Sequence, residues 1–227
     1  MTLKSYFVTA TDTEVGKTAI TCGLSFALKN KGIDVGVMKP FACGIQQKHG
    51  FRSEDAELLA KSAQVTDPED MINPYFFPIP ASPYAAANKL NVSIDVDAVL
   101  QRFEKLQSLH DVMLVEGIGG ILTPILKDYH VADLIKDMGL EPIIVTSSKI
   151  GTINHTLLTC NACKKYGLSI RGIIINNFDD TGYVIDELTN DLMNLSGVEV
   201  LCAVPHLSDL SQISEVLKNS LLPKLMS

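Results

Sequence analysis

A chain of 227 residues with 46% hydrophobic content can bury one substantial core, and no linker-like or low-complexity stretch divides it, so residues 1–227 are expected to form a single domain. Its net charge of −7 argues against a broad nucleic-acid or anionic-membrane surface, since either needs an excess of Lys and Arg. No apolar run reaches the length of a membrane span and no signal-peptide pattern opens the chain, which points to the cytoplasm.

The first predicted element is a strand at Tyr6 to Val8. It breaks into the small and polar Thr9-Ala10-Thr11-Asp12-Thr13-Glu14-Val15, and after Gly16-Lys17-Thr18 a helical pattern places Ile20, Leu24 and Leu28 on one face. Strand, loop and helix in that order make Gly16-Lys17-Thr18 the end of a phosphate-binding loop. Backbone N–H groups and the helix N-terminus would hold phosphates, Lys17 would reach the β/γ oxygens, and the Thr18 hydroxyl would face Mg²⁺. The bare motif is not met, because Thr11 stands where Gly is usual.

Gly32 stops the helix, and Val35 to Pro40 reads as a second strand with Lys39 at its carboxyl end. In an open parallel α/β sheet that edge binds ligands, so Lys39 is expected to share the crevice with the phosphate loop. Ser53 is a plausible cap for a helix starting Glu54-Asp55-Ala56, and capping alone explains the acids there. Asn73 to Pro83 holds four prolines and is expected to be a stiff loop. A helix from about residue 95 to 108 follows, with Val96, Val99, Leu100, Phe103 and Leu106 facing inward.

Val112-Met113-Leu114-Val115 suits a strand buried on both faces. Glu116 ends it ahead of Gly117, Gly119 and Gly120, which would let backbone approach a ligand; an acid there suits a metal–nucleotide complex. The rhythm then repeats: strand 142–146, helix from about 152 to 166, strand 170–175, helix from about 183 to 195, strand 200–204. The expected fold is α/β, a mainly parallel sheet of the P-loop NTPase type with helices on both faces, and Asn176-Asn177 and Pro205-His206-Leu207 fall on its ligand edge. Gly151 and Thr152 precede a helical run, so free N–H groups there would form an anion site. The five cysteines are odd in number and scattered, unlike a disulfide framework, and Cys160-x-x-Cys163 falls in a helix without a second pair.

The loop Thr11-Asp12-Thr13-Glu14-Val15-Gly16-Lys17-Thr18 resembles that of the dethiobiotin synthetases, and the similarity continues through Lys39-Pro40, Asn73-Pro74-Tyr75, Ser82-Pro83, Val115-Glu116-Gly117 with Gly119-Gly120, and Gly151 to His155. That family implies an ATP-dependent cyclo-ligase of biotin biosynthesis. Diaminopelargonic acid takes up CO₂ as a carbamate, ATP converts it to a carbamic–phosphoric mixed anhydride, and the second amine closes the ureido ring. By resemblance, Lys17 and Lys39 neutralise the γ-phosphate and the carbamate, and Thr18, Asp55 and Glu116 hold Mg²⁺. Thr13 to Thr18, Gly117 and Gly119 would surround the phosphates of ATP, the cosubstrate. Asn176, Asn177, Pro205, His206, Leu207 and Gln212 would hold the rest of the nucleotide. Lys39, Cys43, Ser82 and the start of the helix at Gly151, Thr152, Ile153 and Asn154 would bind the substrate, the last from the neighbouring subunit of a homodimer. The family usually has Gly at Ala10 and Ser at Cys43. The competing class is a partitioning or positioning ATPase of the same fold, which carries an extra Lys early in the loop where this chain has Asp12.

Overall fold

The structure is a computed structural model describing residues 4–178 and 181–226. In chain order its first half runs Tyr6–Ala10 (β1), Lys17–Lys29 (α1), Val35–Met38 (β2), Phe41–Cys43 (β3), Glu54–Ala63 (α2), Glu69–Ile72 (α3), Tyr75–Phe77 (β4), Pro83–Leu90 (α4), Val96–Gln107 (α5) and Val112–Glu116 (β5). The second half runs Pro124–Leu126 (β6), Tyr129–His130 (β7), Val131–Asp137 (α6), Glu141–Thr146 (β8), Thr152–Lys165 (α7), Gly172–Phe178 (β9), Ile185–Ser196 (α8), Val200–Pro205 (β10), Leu210–Ser220 (α9) and Leu222–Leu225 (α10).

Among the described residues, six strands form one sheet in the order β10-β9-β8-β1-β5-β2, and every pairing in it is parallel. Parallel strands need crossovers, and the crossover helices cover both faces, so the strands can be apolar throughout. β1 and β5 are buried at every position. Successive side chains go to opposite sides: Tyr6, Val8 and Ala10 pack with Ile20, Leu24 and Leu217, while Phe7 packs with Phe103, Leu134 and Leu188. From β1 the chain crosses to the edge strand β2, returns to insert β5 between the two, and then builds outward on the other side of β1 through β8, β9 and β10. The switch point therefore lies at the carboxyl end of β1, where the Gly16 loop begins.

The stretch expected to be a stiff loop needs correction. Tyr75–Phe77 pairs in parallel with Phe41–Cys43 in a separate two-stranded ribbon, because Pro74 and Pro78 bracket that strand rather than interrupt it. Pro83 then occupies the first turn of α4, where its missing N–H costs nothing, and the Ser82 hydroxyl caps that helix by accepting from Ala85 N. Strand β9 runs later than expected, which carries Asn176 and Asn177 inside it. The β6–β7 hairpin, α6 and α9 had no counterpart in the sequence reading. The cap at Ser53 is as expected, its hydroxyl accepting from Ala56 N at 3.3 Å.

Candidate active site

The phosphate loop leaves β1 at Ala10, whose backbone stays extended within the strand, so a small side chain suffices there. Two residues of the loop take the left-handed conformation: Glu14 at φ 58° and Gly16 at φ 93°. A non-glycine residue in that region is strained, and such strain is characteristic of ligand loops. Gly16 is the N-cap of α1 and no side chain caps it, so the first N–H groups of the helix remain for a ligand. A β-carbon on Gly16 would collide with the Asn176 amide, which donates to Val15 O at 2.9 Å.

Lys17 is 8% exposed and donates to Asp12 O at 3.2 Å. Burial and then the charge of Lys39 lower its ammonium to about 8, against the opposing pull of Glu116, Asp55 and Asp12. Lys39 lies just past β2, one strand beyond β5, and its backbone is pinned from both sides. Its N–H donates to Ile72 O at 2.8 Å and its carbonyl accepts from Asn73 Nδ2 at 2.7 Å. Sequence reasoning gave Asn73 no such role, and the rigid Asn-Pro context was the available signal.

From that anchor the Lys39 ammonium reaches Glu116 Oε1 at 2.5 Å and Asp55 Oδ2 at 2.8 Å. Burial would lower the pKa of Lys39, but Glu116 and Asp55 outweigh it and hold the pKa above the ordinary value. Burial would likewise raise Asp55, yet Lys39, the Thr18 hydroxyl and Lys17 together hold it low. Thr18 Oγ1 donates to the same Glu116 Oε1 at 2.8 Å. Glu116 Oε2 is buried and has no partner among the described residues, which is costly unless a ligand completes it. The Thr18 hydroxyl and the carboxylates of Asp55 and Glu116, the latter with this orphaned oxygen, are hard donors, and they fit Mg²⁺.

These groups line one cleft of about 460 Å³, together with Thr13, Glu14, Gly16, Cys43, Ile118 and Gly119. Burial pushes the Cys43 thiol up to about 11, against the nearby Lys39 charge. Gly117 is not among the residues lining this cleft, and its bare Cα makes room for the ring of Phe7, which a β-carbon would approach to 2.7 Å. Gly119, at φ 57°, is the glycine that lines the cleft.

Asn177 sits at φ 58° and is hydrogen-bonded to His206 Nδ1, which joins the ends of β9 and β10; His206 N also donates to Phe178 O at 3.0 Å. Leu207 is half-buried against the core beneath α1, and Gln212 is exposed on the first turn of α9. A second cleft of about 260 Å³ lies between the outer side of the phosphate loop and the start of α7, lined by Asp12 to Val15, Asn177, Lys149, Ile150, Thr152 and His155. Gly151 caps α7 at φ 98° without a side-chain bond, Asn154 is exposed, and Ile153 is half-buried against the core. Ser82 lines neither cleft. Cys160 and Cys163 are buried on α7, their thiols raised to about 11 and about 12, chiefly by burial.

A family model described as an AAA domain matches residues 4–214. The ATP-dependent dethiobiotin synthetase of Nitrosopumilus maritimus is 57% identical over 212 residues, 93% of each chain. That of Bacillus subtilis strain 168 is 39% identical over 220 residues, 97% of this chain and 92% of the relative. Among solved structures, the MinC:MinD cell division complex of Aquifex aeolicus superposes with a TM-score of 0.59 at 15% identity, covering 98% of this chain and 94% of that one. The septum site-determining protein MinD of Pyrococcus horikoshii, complexed with Mg-ADP, gives 0.56 at 17%, covering 99% and 94%. At such low identity these two show the fold alone. The full-length identity to the synthetases decides the family: the chain is an AAA-domain protein of the ATP-dependent dethiobiotin synthetase family.

Proposed function

We propose that this protein closes the ureido ring of dethiobiotin, using ATP to activate the carbamate formed from diaminopelargonic acid and CO₂. The observation that carries this reading is the convergence of Lys17, Lys39, Thr18, Asp55 and Glu116 in one cleft beside the uncapped start of α1. Phosphoryl transfer asks a protein for position and for charge aimed at the transferring group, and it needs no covalent nucleophile. Lys17 meets the γ-phosphoryl oxygens, and the N–H groups of Gly16 to Thr18 hold the phosphates behind it. Lys39, with its backbone fixed by Ile72 and Asn73, presents its charge to the carbamate oxygen that attacks phosphorus. The products of that step are ADP and the mixed anhydride. The second amine then adds to the anhydride carbonyl, inorganic phosphate leaves with the C–O bond electrons, and the amine proton is released. Thr18, Asp55 and Glu116 would hold Mg²⁺, which when bound neutralises phosphate charge.

The start of α7, at Gly151 to Asn154, would receive the substrate carboxylate for the neighbouring subunit of a homodimer working in the cytoplasm. Exposed Leu122 and Leu158 line one groove together with His155 of α7, and exposed Ile150 stands just before that helix; apolar side chains grouped in this way support such an interface. No described helix is long and apolar enough to cross a membrane. The switch-ATPase reading is less well supported, since Asp12 stands where those proteins carry their extra Lys.

The deciding experiment is ADP release with and without diaminopelargonic acid and bicarbonate. Release that requires both supports the ligase; ATP hydrolysis indifferent to both would replace it with the switch.

A further inference from the structure

Four threonine hydroxyls meet where β8 ends. Thr146 Oγ1, fully buried, lies 3.2 Å from Thr11 Oγ1, 2.6 Å from Thr152 Oγ1 and 2.9 Å from Thr156 Oγ1. Thr152 Oγ1 also lies 2.8 Å from Ser147 O, a carbonyl that can only accept, so Thr152 spends its single proton there. Its oxygen must then accept from Thr146, and Thr146, having given its own proton, accepts from both Thr11 and Thr156. Donor counting thus gives a direction: Thr11 to Thr146 to Thr152 to Ser147 O. Thr11 begins the phosphate loop, and its N–H also donates to Val145 O at 3.0 Å. Thr152 is the first residue of α7.

We propose that Thr146 is a positioning residue that couples the phosphate loop to the start of α7, so that nucleotide at the first changes affinity for the diamino acid at the second. This rests on the function proposed above. Thr146, Thr152 and Thr156 are shielded from water, so a bond lost there cannot be remade with solvent. Thr11 is only half-buried and belongs to a loop that must close on phosphates. When Thr11 moves, Thr146 either follows, carrying Thr152 and the first turn of α7, or gives up a bond. In a dimer with shared sites, the loop and the helix start of one chain serve different pockets, and the relay would join the two sites.

The test is calorimetric titration of β,γ-methylene ATP with Mg²⁺, with and without saturating diaminopelargonic acid, in the wild type, Thr146→Val and Thr146→Ser. Wild type should show a change in nucleotide affinity of at least about fivefold, the lower end of ordinary site-to-site coupling. Thr146→Val, isosteric but without the hydroxyl, should cut that ratio to below about twofold, and Thr146→Ser should restore it. A merely structural threonine would lower stability or weaken both ligands and leave the ratio untouched. Thr11→Val, at the half-buried end of the relay, provides the same readout if Thr146→Val does not fold. A wild-type ratio in either folded valine variant, or a serine variant that stays uncoupled, overturns the relay alone. Failure of the wild-type protein to bind the diamino acid overturns both the relay and the function on which it rests.

Discussion

Replacing Lys39 with Met should leave a buried carboxylate without its cation. Glu116 is fully buried and receives the ammonium at 2.5 Å, whereas the other partner, Asp55, has a side chain 46% exposed and can turn to water. The gross attraction at 2.5 Å is about 6–7 kcal/mol at an effective dielectric constant of 20. Much of this is offset by desolvation, but removing one member of a buried pair strands the other and costs about 3–5 kcal/mol. The Asp55 contact adds little because solvent screens it. For a chain of this size, each kcal/mol moves the melting temperature by about 2–4 °C, so Lys39→Met should melt on the order of 10 °C lower. Differential scanning calorimetry near neutral pH without nucleotide measures it. The decisive comparison is the double variant Lys39→Met/Glu116→Gln, which removes the stranded charge and should regain more than half of the lost stability. Turnover should stay down by about 10²–10³-fold in both, because the charge facing the carbamate is gone. A double variant no more stable than Lys39→Met would show that packing, not charge, explains the loss.

Gly16→Ala should fold but lose nucleotide affinity by more than about tenfold, since it must leave φ 93° or displace Asn176; titration with ADP and Mg²⁺ measures this, and unchanged affinity would refute the loop geometry. Asp55→Asn and Glu116→Gln should each raise the Mg²⁺ concentration for half-maximal rate several-fold, and an unchanged Mg²⁺ requirement in both would reduce these acids to holding Lys39. In native protein, iodoacetamide should reach Cys43 before the four buried cysteines. With its thiol pushed up to about 11, the thiolate fraction and hence the alkylation rate should climb about tenfold per pH unit between pH 8 and 10, and a rate already level at pH 8 would contradict that environment.

Much of this protein was legible from local pattern. The apolar runs ending at Glu116 and Thr146 and the helix after Thr18 follow from burial on both faces of a parallel sheet and from 3.6-residue periodicity, which depend on neighbours in sequence. The carboxyl-edge rule then placed Lys17, Lys39 and Glu116 on one rim before any contact was known. Local pattern failed where a partner far along the chain decides the outcome. Tyr75–Phe77 is a strand because Phe41–Cys43 lies beside it, and Gly117 is bare because Phe7 needs the space. The same holds for the site's chemistry. That Lys39 carries its charge between Glu116 and Asp55, that Asn73 fixes its backbone and that Asn176 fills the space over Gly16 are consequences of folding. Sequence singled out Thr11 for the phosphate loop and Thr152 for the helix start but gave no link between them, and Thr146 and Thr156 no role at all; only the meeting of β1, β8 and α7 turns the four hydroxyls into a directed chain. Sequence therefore determined which residue types stand at the ligand edge, because periodicity and turn chemistry are local, while tertiary structure decided which of them share protons and charge, because those couplings act over a few ångströms between residues up to 161 positions apart.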